Sequence, residues 1–316
     1  MNKKIIFILF IILVLWCYIV FGNELKTKTI FEDDNLYKPK RINLHNKKVY
    51  ILDTADQSIK VYDNKDNKRR MIKTFGSKGE GPRELVKATD FVIYEEKLYV
   101  LDAGNQKIEI FSLTDGNYVK QHRLEVVGAI KMAITNGKLY IASITMGEPK
   151  KIIHCYQMDD KMKAIYSFLY SNRTSGDYHE VYSNLGLMTA GNGKIYFTFV
   201  LSNQIYEFSE EGKTLKSYTL PFKSITKPEL EEKNNHLTIK RALNYDIKLN
   251  GNDVYVLSRN ENQHSVISKL VDGKFIKTYL IKERIRNFDI WENELWAINE
   301  DIEVLIYNIE KNHSNP

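Results

Sequence analysis

Apolar positions along this chain fall in short runs that alternate with polar ones at a period of two, the spacing of half-buried strands, and turn residues punctuate the runs. The pattern is clearest over residues 75–111. There a glycine-rich stretch from Phe75 to Leu85 precedes three apolar runs, Asp90–Tyr94, Lys97–Asp102 and Lys107–Phe111. One such unit predicts an antiparallel meander, which cannot bury both faces alone and so needs neighbours. A kernel of Lys, apolar, Tyr, apolar recurs from Lys48, Lys97, Lys138 and Lys194, with looser copies from Asp253 and Glu294. Its central aromatics, Tyr50, Tyr99, Tyr140, Tyr196, Tyr255 and Trp296, are spaced by 49, 41, 56, 59 and 41 residues.

A repeat of about 40–60 residues with several strands per unit predicts blades radiating about an axis. Each kernel is preceded by a strand and a turn. Three of those turns carry Asn-Gly, at Asn136-Gly137, Asn192-Gly193 and Asn250-Gly251, where both residue types tolerate positive φ. A third strand follows every kernel, and an outer fourth strand follows all but the last, which runs out of chain at Pro316. The segment Lys26–Phe31 alternates like an outer strand and has no blade of its own, so it is expected to supply the missing edge and close the ring. The expected fold is all-β: a six-bladed β-propeller of four-stranded antiparallel blades over residues 23–316, closed by an N-terminal outer strand and preceded by a hydrophobic helix over residues 1–22.

That leader has a basic head, Lys3 and Lys4, and an apolar run of 17 residues from Ile5 to Phe21. Its length lies between a signal-peptide core, about 7–15 residues, and a spanning helix, about 17–25. Cleaved before Asn23 or retained as an anchor, it sends the body out of the cytoplasm, to a periplasmic or cell-surface location. Cys17 suggests lipidation, but Leu15 and Trp16 precede it where a lipoprotein signal wants a small residue, so an ordinary apolar role fits better. The body has one cysteine, Cys155, and therefore no internal disulfide. A net charge of +6, two of it in the leader, without a basic stripe interleaved with aromatics, argues against nucleic acid.

The residues Gly76, Gly79, Gly81, Pro82, Glu84 and Leu85, followed by Leu98–Asp102, Asn105, Ile108 and Phe111, resemble a repeat of the NHL type. The chain thus resembles the exported bacterial six-bladed propellers of the NHL-repeat and TolB-like type, most closely in its second unit. The resemblance implies the fold. It implies an activity far less, because propellers host lyases, lactonases and binding scaffolds alike.

In such a fold the connections from an outer strand to the next inner strand share one face around the channel, and the insertions Gly76–Lys87, Ser171–Asn184 and Phe222–Ala242 all belong to that class. Candidate ligand or partner contacts are Lys78, Arg83, Arg173, Tyr178, His179, Tyr182, Lys240, Arg241 and Arg286. This mixed aromatic and charged set suits a protein or small polar ligand of the cell envelope. The alternative is a metal-dependent lyase or hydrolase at the channel mouth, with His179, His236 and His264 on zinc. A lactonase-like calcium site is a further variant, but Asp53 and Asp102, at matching unit positions, read better as caps of the turns that follow them. No catalytic residue and no cofactor is assigned. Gly76-Ser77-Lys78-Gly79-Glu80-Gly81 looks superficially like a phosphate cradle, yet no Gly-Lys-Ser/Thr opens a helix after it, and a tight crossing loop is expected instead.

Overall fold

A computed structural model describes residues 23–64, 69–144, 150–171, 178–221, 229–233 and 236–309. The expected leader helix over residues 1–22 lies outside them, and so does Arg173. Among the described residues no helix is long and apolar enough to cross a membrane.

Six sheets of at least four strands radiate from a common axis. Blade 1 runs outward through Pro39–His45, Lys48–Asp53, Ser58–Asp63 and Met71–Phe75, and blade 2 through Ala88–Tyr94, Lys97–Asp102, Lys107–Ser112 and Tyr118–Arg123. Blade 3 uses Ala129–Thr135, Lys138–Ser143, Lys151–Gln157 and Ala164–Tyr170. Blade 4 uses Gly186–Gly191, Lys194–Phe199, Gln204–Ser209 and Thr214–Thr219. Blade 5 comprises Asn244–Asn250, Asp253–Arg259, Ser265–Val271 and Lys274–Ile281, and blade 6 contributes Ile285–Trp291, Glu294–Asn299 and Val304–Asn308. Neighbouring inner strands pack against one another in a closed cycle.

The first turn of each blade shows why these hairpins form. Asn136-Gly137 and Asn192-Gly193 sit at positive φ as the sequence predicts. In blade 5 Asn250 pairs with Asp253, so the two-residue turn is Gly251-Asn252 with the glycine leading, one position beyond the expected pair. Blades 1 and 2 make the same turn without glycine, at Asn46-Lys47 and Glu95-Glu96. The kernel aromatics are all buried, with Tyr140 and Trp296 inaccessible, and form the packing layer between blades.

Ring closure follows the expectation. Thr27–Phe31 pairs antiparallel with Val304–Asn308 and completes blade 6. Phe31 seats its ring 4.9 Å from that of Tyr62 and 5.7 Å from that of Trp296, so the strand is held by packing as well as by its ladder. A second device was not foreseen: Asn23–Glu24 pairs in parallel with the outer strand of blade 5, beside Tyr279 and Leu280. The N-terminal segment therefore laces blades 5 and 6 together. All three insertions contain regular structure: a short parallel pairing of Ser77–Lys78 with Glu84–Leu85, a short helix Tyr178–Ser183, and a hairpin of Glu229–Lys233 with His236–Arg241.

Candidate functional site

The crossings between blades are tied down by buried carboxylates at the end of the second strand. Asp53 is inaccessible and accepts backbone hydrogen bonds from Tyr37 (2.7 Å), Lys38 (2.9 Å) and Ala55 (3.0 Å), and one from Lys60 Nζ (2.7 Å). Burial opposes its charge, but the Lys60 ammonium and these amides outweigh burial and hold the carboxyl below its usual range. Asp102 repeats the arrangement one blade on, accepting from Val86 (3.1 Å), Lys87 (2.9 Å), Gly104 (3.2 Å) and Asn105 Nδ2 (2.8 Å). Both aspartates cap their turns as expected. Both also fix the incoming crossing, and with it Lys38 and Lys87.

The glycine loop is closed on itself. The Gly79 amide donates to Leu85 O (3.1 Å) and the Gly81 amide to Glu84 Oε2 (2.9 Å), while the carbonyls of Gly81 and Glu80 receive the buried Lys107 ammonium at 2.9 and 3.4 Å. Its amides are spent internally and its carbonyls hold a cation, the reverse of a phosphate cradle.

Where the inner strands begin, the channel opens into a cavity of about 700 Å³. Its wall contains Lys38, Lys40 and Arg41 from blade 1, Lys87 ahead of blade 2, Asn244 and Tyr245 from blade 5, and Arg286, Asn299, Glu300 and Ile302 from blade 6. Lys40 is exposed at the cavity wall, yet the protein packed around it still partly desolvates its ammonium. This desolvation, followed by the neighbouring Arg41, Lys131 and Lys87 charges against the opposing pull of Asp90, pushes its ammonium down to about 8. Arg259 is buried behind the wall, donating to Glu300 Oε1 (3.0 Å), Ile285 O (3.1 Å) and Ser265 Oγ (3.1 Å) and lying 4.4 Å from the Tyr245 ring. Ile302 is a β-branched residue at φ 64° with its side chain half exposed at the cavity, a conformation that costs energy and tends to occur at functional positions.

Deeper in, a polar network joins the exposed inner edges of the blades. Asp90 accepts from the Met132 amide (3.0 Å), Asn287 from the Ile42 amide (2.6 Å) and Asp289 from the Leu44 amide (2.7 Å), each across a blade boundary. Lys131 Nζ lies 3.6 Å from Asp90 and 3.4 Å from Asp246, and Asn287 donates to Asp246. Burial disfavours the Asp246 charge, but the cations Lys131, Lys248 and Arg41 hold its carboxyl below the usual range. A smaller cavity of about 250 Å³ lies among the later residues of the inner strands.

Of the residues singled out in the sequence, Arg286 lines the mouth. Lys78 and Arg83 are exposed on the glycine loop and do not line it; Arg83 lies instead within electrostatic reach of Tyr118 on the outer strand of blade 2. Tyr182 is half-buried in the short helix, whose residues Tyr178 and His179 have described backbone only. His236, Lys240 and Arg241 fall in the second strand of the inserted hairpin, again as backbone only. His264 interacts electrostatically with Glu24, which edges blade 5, and is absent from the mouth lining. No group of His, Cys, Asp and Glu among the described residues has the geometry to hold a metal ion. Sequence reasoning missed Lys38, Lys40, Arg41, Lys87 and Tyr245, which stand at or beside strand starts, Lys87 as the last residue of the glycine-rich insertion and the others outside the insertions.

A family model described as 6-bladed beta-propeller, DUF5128, matches residues 25–307. The chain belongs to this family. By sequence, no curated protein matches it. Among solved structures the propeller is similar to a Bacteroides fragilis NCTC 9343 protein held to be exported, with TM-score 0.64 and 13% identity over 91% of this chain and 95% of that one. A DUF4221-family member from Bacteroides vulgatus ATCC 8482 superposes with TM-score 0.60 and 9% identity over 92% and 99% of the two chains. Virginiamycin B lyase from Staphylococcus aureus gives TM-score 0.54 and 15% identity over 91% and 99%. At these identities the likeness is one of fold, and this DUF5128 propeller has to be read from its own residues.

Proposed function

We propose that this DUF5128 propeller is an extracytoplasmic binding module that recognises a small polar ligand or protein of the cell envelope on the face where the blade crossings converge. The leader Met1–Gly22 supports the location. The observation that carries the reading is the mouth itself: a cavity of about 700 Å³, within the usual size of ligand sites, walled by five cationic side chains on a rigid ring. The lyase alternative has the shared fold as its support; of its three histidines His264 alone has a described side chain, and that lies toward the edge of blade 5.

Hydrogen exchange of the body, with and without a size-fractionated envelope extract, tests this reading. Protection is expected at the crossing residues Lys38–Arg41, Lys87–Ala88 and Arg284–Arg286. Protection confined to the opposite face, at Asn192-Gly193 and Gly251-Asn252, or none anywhere, would refute it.

A further inference from the structure

The charge balance of the mouth narrows what it accepts. Its wall holds five cations, Lys38, Lys40, Arg41, Lys87 and Arg286, against one carboxylate, Glu300. Glu300 is already engaged: Oε1 takes Arg259 at 3.0 Å and Oε2 takes Arg284 at 3.5 Å. Arg41 shares Asp90 with Lys131, at 3.7 and 3.6 Å. Among the described residues, Lys38, Lys40, Lys87 and Arg286 are left with no carboxylate in ion-pair range. Two of them stand on crossings that Asp53 and Asp102 hold in place through the Lys38 and Lys87 amides, so the backbone that carries them is fixed before any ligand arrives. Like charges gathered in a concave wall focus the field and favour an incoming anion. Ile302, held at positive φ, and the Tyr245 ring add an apolar side to the same cavity.

Resting on the binding reading above and deepening it, we infer that the mouth is the site for a small ligand bearing two or more phosphate or carboxylate groups, taken by Lys40, Lys87 and Arg286 with its carbon skeleton against Tyr245 and Ile302. The state of Lys40 supplies a signature. It is faced by Arg41, Lys87, Lys131 and Asp90, with Lys38 on its own segment and Arg286 and Glu300 of blade 6 in the same cavity wall. An anion relieves the crowding of positive charge, so binding draws a proton onto Lys40 and weakens as pH rises through about 8.

Calorimetric titration of residues 23–316 with tripolyphosphate and, separately, citrate tests the assignment at pH 7 and pH 9 in buffers of different ionisation enthalpy. At least one probe is expected to bind; tighter tripolyphosphate assigns a phosphate-bearing ligand, and tighter citrate a carboxylate-bearing one. Lys40→Gln and Arg286→Gln should each weaken binding by roughly tenfold, as expected for loss of one charge-assisted contact. Lys40→Gln should also abolish proton uptake, a loss that mere structural damage would not single out. Lys216→Gln, between blades 4 and 5 and away from the mouth, should bind like the wild type, and thermal melting verifies that every variant is folded. Failure of both probes, equal affinity in all variants, or an equal loss in Lys216→Gln overturns the inference. If exchange protection maps to the mouth while neither probe binds, the anion assignment falls and the face-level reading stands.

Discussion

Asp53 shows how one side chain links local turn chemistry to the recognition face. It caps its own turn, pairs with Lys60 and holds the amides of Tyr37 and Lys38. Removing it leaves two crossing amides without their acceptor and takes one of two carboxylates from the buried Lys60 ammonium, which keeps Asp56 at 2.9 Å, so Asp53→Ala should cost about 2 kcal/mol in urea unfolding at pH 7. Because its folded carboxyl sits below the unfolded value, this contribution is present above the unfolded pKa of about 4 and disappears as pH falls through the folded one. The gap between wild type and variant should therefore shrink below pH 4; a gap constant with pH would contradict the pairing. The turn role of Asp53 and Asp102 was readable because a one-dimensional pattern, Asp followed by a tight turn at the same place in two repeats, carries it. The network of Asp90, Lys131 and Asp246 was not, because its partners come from different blades and only the closed ring brings them together. Lys40 and Lys87 escaped notice for a related reason: in sequence they flank strands like any solvated lysine, and only convergence of the blade starts turns them into a wall.

At the scale of elements, the outer strands were legible from period-two alternation, because a strand such as Tyr118–Arg123 buries only one face, while the middle strands, buried on both faces, were legible as short apolar runs bounded by polar turns. Closure by Thr27–Phe31 was legible as a missing strand and a spare one. The parallel addition of Asn23–Glu24 to blade 5 was not, since two residues carry no periodicity. Nor was the hairpin of Glu229–Lys233 with His236–Arg241 within its insertion, where Leu230, Leu237 and Ile239 are the apolar residues of its two strands, too few to set a core face. Closure makes a prediction. Phe31 is buried between Tyr62 of blade 1 and Trp296 of blade 6, so Phe31→Ala should lower stability by about 3 kcal/mol. Urea unfolding measures it. A change below about 0.5 kcal/mol, the size of an ordinary surface substitution, would mean that the strand decorates the ring without closing it.

For the whole molecule, six blades bring short strand starts from distant parts of the chain to one opening, and the positive charge gathered there exceeds its local counter-charge. A propeller is rigid because each blade is wedged between two others, which suits a site positioned in advance and not one that closes on its ligand. The account therefore places recognition at the mouth, with the long insertions as its surroundings. The most direct test is amine-selective labelling of the intact body at pH 8, quantified lysine by lysine by mass spectrometry, with and without saturating tripolyphosphate or citrate. The account predicts that Lys40 reacts fast in the free protein, and that Lys40 and Lys87 become protected on addition while Lys216 and Lys274 do not change. An unreactive Lys40, or protection spread evenly over the surface lysines, would contradict it.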